Sequence, residues 1–500
     1  MRRRIFEIVP GASVWIVLLG LVLLSWRAPV FVAIFIILYD FHWILKTIYL
    51  SIHLRIAFAR MRKNLKVDWL ERVRETGRPW EDIYHLVVLP MYKEPLDLVR
   101  DSVKSLLDAN YPKENLLVVL ALEERGGDED QVTGSKILEE FSGVFGGFLI
   151  TTHPKDLYGE IPGKGSNETW ATQRAIEKLI RPRDIFVERT LVSVFDIDTR
   201  PGKEYFGILT YHFLTADHPT RSSYQPIPLF TNNIHDVPAL ARLIGFSASF
   251  WQFMQQAREE RLTTFSSHSM PLKALIEVGF WNTDIVSEDS RIFFQCLNHY
   301  NGDWRTVPLH YPVYMDAVSG SGFVNAMRNL YKQQRRWAWG VENFVYILEN
   351  FWPNKRLTLK KKMFWTASLL DGFLTWSTGS FIIFLFGWLP NVFGGNAFYL
   401  TVLSYNLPRV TGVLLNLALI GIIASAILSF SFLPPRVSLG RKRHLYLIWY
   451  FLQWALVPVT FICFSAMPAL DAQTRMMLGG RFRLGFWKTP KERMQYHSTI

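Results

Sequence analysis

The stretch His85-Leu-Val-Val-Leu-Pro-Met-Tyr-Lys-Glu-Pro95 is an apolar run that stops at a proline-bounded turn. Such a run reads as a strand buried on both faces. An amphipathic segment follows from about Leu96 to Leu107. A second apolar run, Asn115 to Leu122, then enters the acidic, glycine-containing loop Glu123-Glu-Arg-Gly-Gly-Asp-Glu-Asp130. Strand, helix and strand in this order are the grammar of a parallel βαβ unit, whose ligands bind at the carboxyl ends of the strands. The alternation persists to about residue 330, so residues 81–330 read as an α/β domain large enough to bury its own core. Glu123 and Glu124 fall at a strand end, where a solvated acidic loop and a nucleotide contact weigh evenly.

Outward from this domain the composition changes. The 500-residue chain is 49% hydrophobic and 15% aromatic, with 18 Trp and 37 Phe, and only 20% charged, below the roughly 25% usual for globular chains. The excess apolar residues lie in runs at 11–26 and 29–50 before the domain, and at 363–389, 409–433 and 445–470 after it. A membrane span needs about 20 mostly apolar residues. The first two runs therefore form a transmembrane hairpin; a cleaved signal peptide fits the first run less well, because a second run follows at once. The net charge of +12 would suit nucleic acid, but its Arg and Lys cluster beside the apolar runs, at Arg55, Arg60, Arg62, Lys63 and Lys66, at 355–362 and at 436–443. That is the positive-inside pattern of a bilayer protein, and no nucleic-acid partner is expected. Two cysteines, Cys296 and Cys463, make neither a disulfide framework nor a zinc module.

Three simple crossings after the domain would place the basic tail outside. Pro458 and Pro468 instead suggest a re-entrant or interfacial last run and a cytosolic tail. The expected organisation is an N-terminal transmembrane hairpin (1–50), a basic juxtamembrane linker (51–80), the cytosolic α/β domain (81–330), amphipathic interfacial helices (331–362), a block of transmembrane and re-entrant or interfacial helices (363–470) and a cytosolic tail (471–500).

Four segments carry candidate chemistry. Gly159-Glu-Ile-Pro-Gly-Lys-Gly-Ser166 lacks the Walker A spacing, which excludes an ATPase reading. It is a glycine-rich turn entering a helix from about Asn167 to Leu179, either offering N–H groups and Lys164 to a phosphate or simply capped by Ser166. Thr190-Leu-Val-Ser-Val-Phe-Asp-Ile-Asp-Thr-Arg-Pro-Gly202 is a strand ending in Asp196 and Asp198. Carboxylates at i and i+2 of an extended chain share a side and can face one Mg2+ or Mn2+ with positions left for substrate phosphate; turn capping competes evenly. Ser287-Glu288-Asp289 precedes a helical pattern. An N-cap Ser with two acids on the helix dipole is the simpler account, and Asp289 as a general base is the functional one. In Tyr331-Lys-Gln-Gln-Arg-Arg-Trp-Ala-Trp339, Gln333, Arg336 and Trp337 share one helical face. They suit a diphosphate and a sugar ring, or a membrane surface.

Together these residues resemble the membrane-embedded processive glycosyltransferases of family 2, the group of cellulose and hyaluronan synthases. The resemblance rests on Val88 to Pro95, Asp196-x-Asp198, Ser287-Glu-Asp289, Gln333-x-x-Arg336-Trp337 and Phe486-Trp-Lys-Thr-Pro-Lys491, in that order. It implies a Rossmann-like GT-A domain inserted between transmembrane helical blocks, in the plasma membrane, with hexosyltransferase activity. It implies Tyr92, Glu94, Glu123, Lys164 and Asp196 as nucleotide contacts, and Asp196 and Asp198 as ligands of Mg2+ or Mn2+. Asp289 becomes the base, Gln333, Arg336 and Trp337 contact diphosphate and acceptor, and Phe486, Thr489 and Lys491 belong to a cytosolic gating loop. Departures are Ser287 for Thr, Lys488 for Val, and Glu123-Glu124-Arg125 where an Asp pair is usual; a UDP-sugar donor is expected ahead of a GDP-sugar. The implied function is inverting transfer to a growing polysaccharide coupled to its translocation. Transfer of one sugar to a lipid acceptor, or a non-catalytic channel or scaffold, are the competing readings.

Overall fold

The computed structural model describes residues 2–434, 443–485 and 487–491. Its centre is one sheet built from β1 (Tyr84–Pro90), β2 (Leu116–Glu123), β3 (Gly147–His153), β4 (Thr190–Val194), β5 (Arg200–Pro201), β6 (Ser222–Leu229), β7 (Ser269–Pro271) and β8 (Arg305–Tyr314), in the order β3-β2-β1-β4-β7-β6-β8-β5. β3, β2, β1 and β4 run parallel, and β7 turns against β4 and β6.

The apolar runs of β1 and β2 follow from burial on both faces. Val87 and Leu89 join Leu116, Val118, Leu120 and Leu122 in one core, while Leu86 and Val88 join Leu117, Val119 and Ala121 in the other. Side chains alternate along a strand, so a run without polar interruptions is what two covered faces require. The expected helix at Leu96–Leu107 is present with those bounds. Successive crossovers carry β2 and β3 to one side of β1 and β4 to the other. The crevice at the carboxyl ends of β1 and β4 is therefore the place where an open α/β sheet binds its ligands.

Five helices are long and apolar enough to cross a membrane among the described residues: Arg2–Arg27, Pro29–Asn64, Leu359–Phe384, Val402–Phe432 and Leu445–Leu478. The second runs unbroken past residue 50, where the sequence suggested a linker. At 36 residues it is about 54 Å long, well beyond the roughly 30 Å of a bilayer core. Its surplus docks on the α/β domain, burying Leu54, Ala57 and Met61 and hydrogen bonding Asn64 Nδ2 to the carbonyls of Leu309 and His310 at 3.2 Å each. The basic residues 55–63 thus ride on a docked helix, not a loop.

The fifth long helix begins beside the α/β domain and ends beside the helix that follows it and the start of the first helix. Near its start Tyr450 stacks on His235 and Gln453 accepts from Arg242 NH1 at 2.6 Å. Near its end Asp471 pairs with Arg335 at 2.9 Å, and Arg4 NH1 at the start of the first helix donates to the Met476 carbonyl at 2.8 Å. Pro458 and Pro468 coincide with breaks in its regular winding, a π-helical turn at Ile462–Ala466 lying between them.

Candidate active site

Asp196 follows β4 at the sheet crevice. The strand ends at Val194, and the Thr199 N–H closes a turn onto the Asp196 carbonyl at 2.7 Å. The two acids are therefore not alternate residues of an extended chain as the sequence suggested. Asp196 keeps a 30% exposed side chain, whereas Asp198 is wholly buried by the fold of the turn. Asp196 Oδ2 accepts from Ser266 Oγ at 2.8 Å, and Asp198 Oδ2 accepts from the Asp316 N–H at 2.9 Å.

Lys164 is the hub of the cluster. It opens the helix Lys164–Ala175, three residues earlier than expected, directly after Gly163. Its buried Nζ stands 2.8 Å from Asp289 Oδ1, 3.0 Å from Asp196 Oδ1, 3.3 Å from Glu168 Oε1 and 3.9 Å from Glu288 Oε1. Burial alone would lower the ammonium's pKa, but the surrounding carboxylates raise it well above its ordinary value. Burial raises Glu168 well above the carboxylate range and Glu288 to about 8, while Lys164 and Lys491 more than offset burial at Asp196 and hold it below its usual value. Gly165 allows the close approach, since a Cβ there would meet the Asn282 carbonyl oxygen at 2.7 Å and Glu288 Cβ at 3.0 Å. Ser166 is not an acceptor cap; its Oγ donates to the carbonyls of Ile161 and Gly163.

Asp289 lies in the first turn of the helix Glu288–His299. Ser287 occupies the N-cap position, yet its hydroxyl donates to Glu342 Oε1 at 2.5 Å instead of capping its own helix. His268 Nδ1 lies 3.7 Å from Asp289 Oδ1, and burial pushes this histidine down to about 4.

The nucleotide-binding candidates Tyr92, Glu94 and Glu123 gather at the ends of β1 and β2. The Arg125 guanidinium lies 4.2 Å from the Tyr92 ring centroid and is held by the Glu123 carboxylate, with NH2 to Oε1 at 2.9 Å. Glu94 accepts from the Tyr92 N–H and pairs with Lys488 at 2.8 Å; burial pushes Glu94 up to about 7 against the pull of Lys488. The tail thus enters the site: Lys488 also donates to the Tyr92 carbonyl, Lys491 Nζ lies 2.5 Å from Asp198 Oδ2, and Thr489 is buried. Phe486 lies outside the described residues.

Gln333, Arg336 and Trp337 stand on the helix Phe323–Ala338. Gln333 is buried, Trp337 packs on Phe230 at 5.8 Å between centroids, and the charge of Arg336 acts on Glu288. Glu168, Ser266 and Glu342 were not singled out from sequence, and Arg125 entered only as part of the Glu123-Glu124-Arg125 departure. Of the first three only Glu168 carried a local sign, four residues after Lys164 on one helical face.

Hard divalent cations are held by carboxylate oxygens, and the described residues offer these in two places. After β4, Asp198 Oδ1 is a buried carboxylate oxygen with no hydrogen-bond donor among the described residues, beside the partly exposed Asp196; separately, Glu168, Glu288 and Asp289 bring oxygens within 4.8 Å of one another, a group that does not include Asp196 or Asp198.

The sequence model of one family, the glycosyl transferase family group 2, matches residues 191–463, from β4 through the helices that follow the sheet. The chain belongs to that family. It is a glycosyltransferase, with an α/β domain set between blocks of apolar helices that mark it as membrane-associated. No curated protein matches it in sequence. Among solved structures, the mannosyltransferase PcManGT from Pyrobaculum calidifontis, in complex with GDP-Man and Mn2+, is similar at 15% identity and a TM-score of 0.39, over 82% of this chain and 99% of that one. A crystal structure of S. aureus TarS 1-349 in complex with UDP-GlcNAc is similar at 15% identity and a TM-score of 0.36, over 76% of this chain and 91% of that one.

Proposed function

We propose that this glycosyltransferase is a processive, inverting polysaccharide synthase. It takes a sugar from a nucleoside-diphosphate donor, UDP ahead of GDP, adds it to a growing chain and passes the product between its membrane helices. The observation that carries the reading is the tail: Lys488 and Lys491 reach Glu94, Tyr92 and Asp198, so the segment resembling a gating loop lies against the residues that follow β1 and β4, where the donor would sit.

In this mechanism Tyr92 and Arg125 offer a flat, cationic face to the nucleobase, and Glu123 fixes the arginine. Asp196 and Asp198 would hold Mg2+ or Mn2+, whose charge would offset that building on the departing diphosphate. Lys164 and Arg336 supply fixed cations on the same side, and preorganised charge of this kind is the largest catalytic lever available, about 10²–10³ in rate for an essential group. Asp289 takes the proton from the acceptor hydroxyl as that oxygen attacks the anomeric carbon in line with the leaving diphosphate. Gln333 steadies the diphosphate, and Trp337 offers its indole plane to the acceptor sugar.

The arrangement of helices supports a plasma-membrane enzyme with a cytosolic catalytic domain. Four long helices cross, and the fifth dips in and returns, since it begins beside the α/β domain and ends beside the helix that follows it and the start of the first helix. The arginines and lysines at 2–4 and 55–66 then all lie on the cytosolic side.

A panel of UDP- and GDP-sugars with Mn2+ tests donor use through thermal unfolding of the purified protein, because a bound donor raises the midpoint. A metal-dependent rise with one nucleotide class is expected. Inertness to the whole panel would favour a non-catalytic channel or scaffold.

A further inference from the structure

We propose that Glu342 is a positioning residue that sets the catalytic loop Val286–Asp289 against the helix bearing Gln333, Arg336 and Trp337. The proposal rests on the reading of Asp289 as the base.

The helix Glu288–His299 begins without a cap of its own. Ser287, at the N-cap position, turns its hydroxyl away and donates it to Glu342 Oε1 at 2.5 Å. The same oxygen accepts the N–H of Ser287 at 3.0 Å and of Val286 at 3.2 Å. One carboxylate oxygen from a different helix thus gathers three donors at the start of the segment that presents Asp289, where negative charge also complements the helix dipole.

The next residues complete a clamp. Arg291, buried one turn further along, donates through Nε to Asn343 Oδ1 at 2.6 Å and through NH2 to the Glu342 carbonyl at 3.2 Å, with its guanidinium 4.4 Å from the Tyr346 ring centroid. Asn343 Nδ2 donates to Ser290 Oγ at 2.8 Å. Glu342, Asn343 and Tyr346 belong to the helix Glu342–Asn350, which continues the helix Phe323–Ala338 through the single turn Trp339–Val341.

The consequence is geometric. Arg336 and Glu342 stand on one winding stretch of chain, so the residues facing diphosphate and acceptor and the residue holding the base move as a unit. A base misplaced by about 1 Å can lose about 10²-fold in rate although every reacting group is still present. The membrane-proximal helices thereby fix the distance between the proton acceptor and the leaving-group cations.

The test uses the full-length purified protein with Mn2+ and the UDP- or GDP-sugar that the wild type consumes, comparing Glu342→Ala, Glu342→Gln and Ser287→Ala. Glu342→Ala is expected to lower kcat about 10- to 100-fold while KM for the donor and binding of UDP with Mn2+ stay within about 2-fold. Glu342→Gln keeps an acceptor oxygen and should return kcat to within about 3-fold of wild type. Ser287→Ala removes one of the three bonds and should fall between them. A residue that only stabilises the fold would lower the melting temperature and the active fraction, leaving kcat per folded molecule unchanged; that result, or Glu342→Gln as impaired as Glu342→Ala at equal melting temperature, overturns the proposal. If Glu342→Ala does not fold, the Gln and Ser287→Ala variants decide by the same criteria. Asp289→Asn separates the two layers: wild-type turnover there removes the base reading itself, whereas a dead Asp289→Asn beside a fully active Glu342→Ala removes only the clamp.

Discussion

The Nζ of Lys491 lies 2.5 Å from Oδ2 of Asp198, joining a tail residue to the second acid of the Asp-x-Asp turn. Asp198 is fully buried, and burial raises its carboxyl pKa even against the pull of Lys491. Burial works to lower the Lys491 ammonium in turn, but Asp198, Asp316 and Asp196 together hold it above its ordinary value. Removing Lys491 leaves Asp198 buried without its counter-charge, and removing Asp198 leaves Lys491 with only Asp316 and Asp196 to offset it. Lys491→Met and Asp198→Asn should therefore each destabilise the closed tail, and the double variant should lose less than their sum. Chemical unfolding of the four proteins measures the coupling, expected at about 1–3 kcal/mol; additive effects would show that the tail does not engage Asp198.

Lys164 offsets several carboxylates at once, so Lys164→Met should unfold more readily than wild type, by about 3–5 kcal/mol for an uncompensated buried charge. If the same oxygens bind a hard cation, Mn2+ should raise the melting temperature of the variant more than that of the wild type. An equal response in both would argue against a cation at this cluster.

Gly165 is where close approach depends on a missing side chain. Gly165→Ala places a methyl carbon against the Asn282 carbonyl oxygen and Glu288 Cβ, and the first of these is backbone. The helix start carrying Lys164 must shift away from Asp289, and kcat/KM should fall about 10-fold or more. Wild-type kinetics in this variant would mean that the spacing between the two segments is not critical.

Much of this was legible in the sequence where the cause is local. β1 and the helix Leu96–Leu107 stand where periodicity placed them, and Asp196 follows the strand that precedes it. What escaped was non-local. Ser287 looked like a cap because Ser before two acids is the local signature of one, and only the approach of Glu342 redirects its hydroxyl. The ion cluster joins Lys164 to Asp289, 125 residues apart, a pairing that no periodicity encodes. The turn after Val194 broke the extended geometry assumed for Asp196 and Asp198, because the Thr199 N–H closes onto the Asp196 carbonyl.

His85 gives a pH test of stability remote from the chemistry. It is fully buried in β1, with Nε2 2.9 Å from Thr210 Oγ1, and burial pushes its pKa down to about 3 from an ordinary 6.5. Between those values the unfolded chain binds the proton and the native chain does not, so this residue's contribution to stability is present above pH 6.5 and is lost as pH falls. The slope is about 1.4 kcal/mol per pH unit. His85→Phe removes it, and the unfolding free energy of the variant should gain on that of the wild type between pH 7 and pH 5. Parallel curves would place the histidine in a solvated setting.

In the proposed reaction Asp289 activates a growing chain to take a sugar from its nucleotide donor. Size analysis of the product made by purified protein from radiolabelled UDP- or GDP-sugar with Mn2+ tests it most directly. The expected result is a long polymer that requires metal and vanishes in Asp289→Asn while UDP binding persists. A single-sugar glycolipid would contradict processive synthesis, and wild-type turnover by Asp289→Asn would contradict the catalytic assignment.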